Sequence, residues 1–181
     1  MPVIVVSCSV KQIANYNNPQ KALVVMDMQL DLIGENAKLP IENNAEDLIK
    51  IVNDIIDDYN REGYKIIYIR SIFSKYAIAN FFRNKAAIEG TTGIEIDSRI
   101  KIVSENIFDK KRSSAFSNKE FDSFLIQNQI NELYITGVMA EGCVYKTAIG
   151  GLDRKYIVNY IENAVGGLEN EKHGTDKRKT D

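Results

Sequence analysis

The sequence predicts an α/β domain whose parallel sheet is covered by helices on both faces. Three observations carry that prediction. Short apolar runs of strand length alternate with segments of helical periodicity along the chain. No tight hairpin turn joins successive apolar runs, so right-handed crossovers must connect the strands. With 181 residues, 44% of them hydrophobic, the chain suits a single core.

The elements follow in order. Ala22 to Met28, ALVVMDM, is a short apolar run bounded by polar residues and reads as a buried strand. Asn44 to Glu62 is helical: Leu48, Val52, Ile55, Ile56 and Tyr59 recur at helical spacing, and Gly63 stands where a C-terminal cap belongs. Tyr64 to Ser71 is a second buried strand, and Glu105 to Asp109 a short third. Lys119 to Gln127 is a short helix with Phe121, Phe124 and Leu125 on one side. A strand from Glu132 to Val138, a helix from about Gly142 to Arg154 and a strand from Tyr156 to Ile161 complete the series. Gly150 and Gly151 lie inside that last helix, where each costs up to about 1 kcal/mol, so close packing of the helix is the expected reason. The whole chain, 1–181, reads as one domain. Residues 1–20 form an N-terminal extension, in which VIVVSCSV is a candidate edge strand, and 169–181 form a charged, flexible tail.

Composition excludes several function classes. A net charge of -2 gives no basic footprint for nucleic acid. No apolar run reaches the length of a membrane span, and the N-terminus lacks the pattern of a signal peptide. The expected location is therefore cytoplasmic, with Cys8 and Cys143 as free thiols and Cys8 inert. His173 is the only histidine and lies in the polar tail, so a multi-histidine metal site is impossible and any histidine triad would have to use that residue.

In parallel sheets, ligands bind beyond the carboxyl ends of the strands. Asp27, Ser71, Lys110 and the stretch from Met139 to Cys143 all fall there. A cysteine in an apolar setting is more often a packing residue. Placed in the first turn of a helix, however, Cys143 would feel the helix dipole and nearby N–H groups, which lower a thiol pKa. Asp27 interrupts an apolar strand, where a carboxylate must be paired or at work, or else cap a loop. Asp31 reads as a cap or a surface charge. Lys110 and Lys111 follow the third strand. One of them pointing inward would stabilise a thiolate, and spacing alone does not choose between them.

Taken together, ALVVMDMQLDL, KKRSSAF and LYITGVMAEGCVYKTA resemble the isochorismatase-like cysteine hydrolase superfamily, which includes nicotinamidases. Order and spacing match over roughly residues 21–167. The resemblance implies a Rossmann-like three-layer α/β/α fold with a mainly parallel sheet. It implies a catalytic triad of Asp27, Lys110 and Cys143, with Lys110 chosen because it stands six residues before Phe116 of the S-A-F motif. It also implies a non-proline cis peptide between Val138 and Met139, which would turn the backbone N–H groups of Met139 and Cys143 toward an oxyanion. Gln29, Phe73, Tyr76 and Phe116 are candidate substrate contacts.

The sequence departs from the nicotinamidase pattern in Arg70 to Phe82, RSIFSKYAIANFF, which has no histidine or carboxylate where that pattern supplies metal ligands. No metal and no cofactor is expected. The aromatics of this segment are candidates either to line the pocket or to pack a helix or subunit contact. Glu89 to Ile96, EGTTGIEI, matches the family's G-T-x-G segment, where Thr91 and Thr92 would donate to a ligand or shape a turn. The family adds a C-terminal helix after a segment like NAVGGLENEKHGTDKRKT. Its absence here points to compensation by the N-terminal strand, a piece supplied by a partner subunit, or truncation. The expected function is metal-independent cysteine hydrolysis of a C–N bond in a small amide, ureide or carbamoyl compound through a thioester-like intermediate, by a homo-oligomer. The alternatives are a non-catalytic binding scaffold and a vinyl ether hydrolase, the latter disfavoured by Cys143.

Overall fold

A computed structural model describes residues 13–41 and 44–167. Five parallel strands form its sheet, in the order β3-β2-β1-β4-β5. They are β1 (Gln20–Met26), β2 (Lys65–Ser71), β3 (Ile107–Lys110), β4 (Ile130–Val138) and β5 (Ile157–Gly166). The helices are α1 (Leu30–Ile33), α2 (Ala45–Arg61), α3 (Lys119–Gln127) and α4 (Tyr145–Asp153). The chain order reverses between β1 and β4, which is the topological switch point of such a sheet.

Side-chain alternation along β1 divides the core into two layers. Leu23 and Val25 face a cluster with Leu48, Val52 and Ile56 of α2. Ala22, Val24 and Met26 face the opposite cluster, with Phe121 and Leu125 of α3 and Ala148 of α4. Helices on both faces of one parallel sheet make the three-layer α/β/α arrangement. Local signals set the helix ends: the Asn44 side chain accepts from Glu46 N–H, and that of Asn118 accepts from Glu120 and Phe121 N–H. Gly63, just after α2, has φ +82°, the conformation a C-terminal cap requires.

Several boundaries differ from the sequence reading, β1 (Gln20–Met26), β3 (Ile107–Lys110) and the start of β4 (Ile130) by one or two residues and others by more. β5 continues to Gly166 rather than Ile161, because pairing with β4 resumes at Gly137 after a shift in register. A short helix, α1, replaces the loop expected around Asp31. Ahead of α4, Ala140–Val144 form a π-helical turn, so the regular helix begins at Tyr145. The expected close packing of Gly150 and Gly151 is present: a Cβ would lie 2.9 Å from Phe116 Cδ2 at Gly150 and 2.9 Å from Val158 Cγ2 at Gly151. The candidate edge strand VIVVSCSV with Cys8, and the tail with His173, lie outside the described residues.

Candidate active site

Each strand but the last delivers one polar group to the carboxyl edge of the sheet. Asp27 follows β1 in a left-handed conformation, φ 53°. Ser71 ends β2, Lys110 ends β3, and Cys143 lies in the π turn after β4. Asp27, Ser71 and Lys110 are almost wholly buried. Lys110 Nζ is the hub: it lies 2.9 Å from Asp27 Oδ2, donates to Ser71 Oγ at 2.5 Å and to Cys143 Sγ at 3.1 Å. Ser71 Oγ in turn donates to Asp27 Oδ1 at 3.1 Å. Lys111 is exposed, so strand alternation settles which lysine points inward.

Asp27, Ser71 and Cys143 line a cavity of about 80 Å³, and Lys110, in contact with all three, is not part of its wall. Its walls are Asp27, Ser71, Cys143 and Ser113 on the polar side, and Leu32, Leu39, Phe73, Ala86, Ala87 and Met139 on the apolar side, with Arg83 at one flank. A larger groove of about 570 Å³, bordered by Asp31, Lys38 and Arg99, contains none of Asp27, Lys110 and Cys143. The Val138–Met139 peptide that leads into the π turn is cis.

The electrostatics reverse one expectation. The Cys143 thiol is pushed up to about 11, not lowered: burial is the largest cause, the negative charge of Asp27 adds to it, and Lys110 only partly opposes both. The π turn also removes the thiol from the first turn of a regular helix. Burial would lower the Lys110 pKa, but Asp27 and Cys143 outweigh burial and raise it, so the ammonium is retained. The resting site thus places the Lys110 ammonium 2.9 Å from Asp27 Oδ2 and beside a protonated thiol.

The candidate substrate contacts separate. Phe73 lines the cavity. Gln29 is fully buried and away from it, with its amide spent on backbone: Nε2 donates to Ser71 O and Ile94 O, and Oε1 accepts from Ser71 N–H. It holds the end of β2, and with it the Ser71 hydroxyl. Tyr76 is 81% exposed and does not line the cavity, because its segment turns outward after Phe73. Phe116 packs on Phe121 and Tyr156 in the core beneath α4, outside the cavity. Of the remaining aromatics in that segment, Phe81 and Phe82 lie on the surface. Thr91 donates to Ile88 O and shapes a turn.

Asp31 is neither a cap nor a surface charge. It is buried, accepts from Ala87 N–H and pairs with Lys38, fastening the 83–87 segment that closes the cavity. Gly93 packs so tightly over it that a Cβ would fall 2.0 Å from the carboxylate. In the sequence, Ser71 has no role beyond its position at a strand end, and Arg83 has none. A lone serine or arginine carries no pattern, and only the approach of distant segments makes either part of a site.

The isochorismatase domain matches residues 21–180. The chain belongs to the isochorismatase family. Isochorismatase-like folds recur among solved structures. One is an isochorismatase-like hydrolase from Alkaliphilus metalliredigens, 26% identical, with TM-score 0.74 over 82% of this chain and 83% of that one. The pyrazinamidase of Pyrococcus horikoshii, solved in complex with zinc, is 25% identical, with TM-score 0.72 over 84% and 89%. N-carbamoylsarcosine amidase from Thermoplasma acidophilum, at 22% identity and TM-score 0.70 over 83% and 86%, shares the fold. No curated protein matches the sequence. Among the described residues, no group of three or more His, Cys, Asp or Glu side chains is gathered to hold a metal, and no helix is long and apolar enough to cross a membrane.

Proposed function

We propose that this isochorismatase-family protein hydrolyses the C–N bond of a small amide, ureide or carbamoyl compound, with Cys143 as nucleophile. The observation that carries the reading is the contact of Lys110 with both Asp27 and Cys143 beside the cavity those two line, its Nζ 2.9 Å from the carboxylate and 3.1 Å from the sulfur. A protonated thiol beside a carboxylate suits a nucleophile that is activated only when substrate arrives. Asp27 takes the thiol proton as Sγ attacks the carbonyl carbon. Lys110 holds the carboxylate in place and offsets the negative charge passing between it and the sulfur. Backbone N–H groups of Met139 and Cys143, next to the cis peptide, are the proposed donors to the oxyanion. Asp27 returns the proton to the leaving nitrogen, the C–N bond breaks, and a thioester remains. Water, deprotonated by Asp27, then attacks the thioester, releasing the carboxylic (or carbamic) acid and restoring the thiol.

The test is ammonia release from a panel of small primary amides and ureas, with mass spectrometry of the quenched enzyme. An acyl adduct on the Cys143 peptide, absent in Cys143→Ala, supports the proposal. Turnover that survives Cys143→Ala refutes it.

A further inference from the structure

Among the described residues, one charge in the cavity has no counterpart. Arg83 flanks the space shared by Asp27, Ser71 and Cys143. Its guanidinium carbon lies 3.8 Å from the centroid of the Phe73 ring, so the planar group is stacked on an aromatic face. That face is fixed: Phe73 N–H donates to Ala87 O at 2.8 Å, and Phe73 O accepts from Glu89 N–H at 2.9 Å. Stacking occupies the flat face of a guanidinium and leaves its in-plane N–H groups to find acceptors. Arg83 Nη1 is buried and has no hydrogen-bond partner among the described residues.

The nearby protein anions are already committed. Asp27 is paired with Lys110, and Asp31 with Lys38 and the Ala87 N–H. Among the described residues, no carboxylate forms an ion pair with Arg83. The site therefore combines a balanced catalytic pair with one uncompensated positive charge. A buried, unpaired N–H on a cation is costly to leave unmade, and a ligand anion satisfies it.

We propose that Arg83 binds a carboxylate of the substrate, so that the compound hydrolysed is a short acid carrying its amide or carbamoyl group a few bonds away. A planar guanidinium fork matches a carboxylate edge-on, and a cavity of about 80 Å³ admits only a compact molecule. The reaction assigned to that molecule rests on the amide-hydrolase reading above. The anion subsite rests on Arg83 and Phe73 alone.

The experiment separates the two. Binding is measured by calorimetry on Cys143→Ala, which cannot form the thioester, using acids paired with analogues in which methyl replaces carboxylate: oxamate with acetamide, N-carbamoylglycine with ethylurea, and succinamate with butanamide. At least one acid is expected to bind 10-fold or more tightly than its methyl partner. Adding Arg83→Gln should bring that ratio to near one, and Arg83→Lys should keep part of it. A melting transition like that of the parent shows that the variants fold. Equal binding of every pair, or a preference that survives Arg83→Gln, overturns the proposal. Turnover of the same pairs by the unmodified enzyme then tests the reaction. Arg83-dependent binding without turnover supports the subsite while refuting hydrolysis of these compounds, whereas turnover with no acid preference does the opposite.

Discussion

Replacing Asp27 with Asn should make the Cys143 thiol more reactive and the enzyme less active. The thiol is held at about 11, by burial first and by the charge of Asp27 second. At pH 8 that leaves about one thiol in a thousand ionised, against about a quarter for an ordinary cysteine at about 8.5. Asparagine keeps the volume and removes the charge, while Lys110, 3.1 Å from the sulfur, remains to favour thiolate. The thiol pKa then falls toward the ordinary value. Iodoacetamide labelling of Cys143 at pH 8 should accelerate by about tenfold or more, since each pH unit of displacement is a factor of ten in thiolate. Amide hydrolysis should fall by about 10²-fold or more, the usual contribution of a positioned acid–base group. The assay is peptide-mapped labelling from pH 6 to 11 beside ammonia release. The full pH profile separates an altered pKa, which moves the midpoint, from altered access, which scales the whole curve. Labelling that slows, or a midpoint that rises, would refute the view that Asp27 opposes ionisation of the resting thiol and instead accepts its proton during attack.

Four further outcomes are expected. Lys110→Met leaves Asp27 buried without its cation and should cost about 3–5 kcal/mol of stability by urea denaturation, with part recovered in Lys110→Met/Asp27→Asn. The folded-state thiol pKa lies above its unfolded value near 9, so its contribution is present below pH 9 and lost as pH rises through about 11; unfolding curves should weaken by up to about 2–3 kcal/mol across that window, and Cys143→Ser should remove this part of the slope. Ser71→Ala removes the hydroxyl bridging Lys110 and Asp27 and should lower kcat about tenfold with little change in KM, as steady-state kinetics would report. Gly150→Ala should destabilise by about 1–3 kcal/mol in thermal melts despite alanine's better helix propensity, because its Cβ would meet Phe116 Cδ2 at 2.9 Å and Ser114 Oγ at 3.0 Å.

Much of the fold was legible because its signals are local. A buried strand declares itself by an apolar run, and a helix by its period and its closing glycine. Both ends of α3 and the C-terminal end of β2 thus agree between sequence and structure. Once strands and helices alternate, crossover handedness sends every strand's carboxyl end to one edge. That rule assembles Asp27, Lys110 and Cys143 without any knowledge of side-chain packing. Strand alternation, once β3 is placed, also turns Lys110 inward and Lys111 out.

The rest depended on distances between segments remote in the chain. Gln29 spends its amide on the backbone of Ser71 and Ile94, and Asp31 is buried by Gly93 and Ala87. The sequence offers Phe116 and Tyr76 as candidate substrate contacts, but one is packed beneath α4 and the other stands in solvent. The thiol pKa shows the division most clearly. The sequence suggests a helix start and a lysine, both of which would lower it; the lysine does so, but the π turn takes the thiol out of the helix start, and the desolvation and Asp27 charge that raise it exist only in the folded cavity. Arg83 belongs to the same class: its stacking on Phe73 and its unpaired Nη1 arise from the return of the 83–87 segment over the strand ends. The sequence by itself therefore determined which residues reach the carboxyl edge of the sheet, because the alternation of strands and helices that makes the strands parallel is written in local patterns. Tertiary structure alone decided their charge states and their neighbours, because Coulomb energy and desolvation depend on what the rest of the chain brings within a few ångströms.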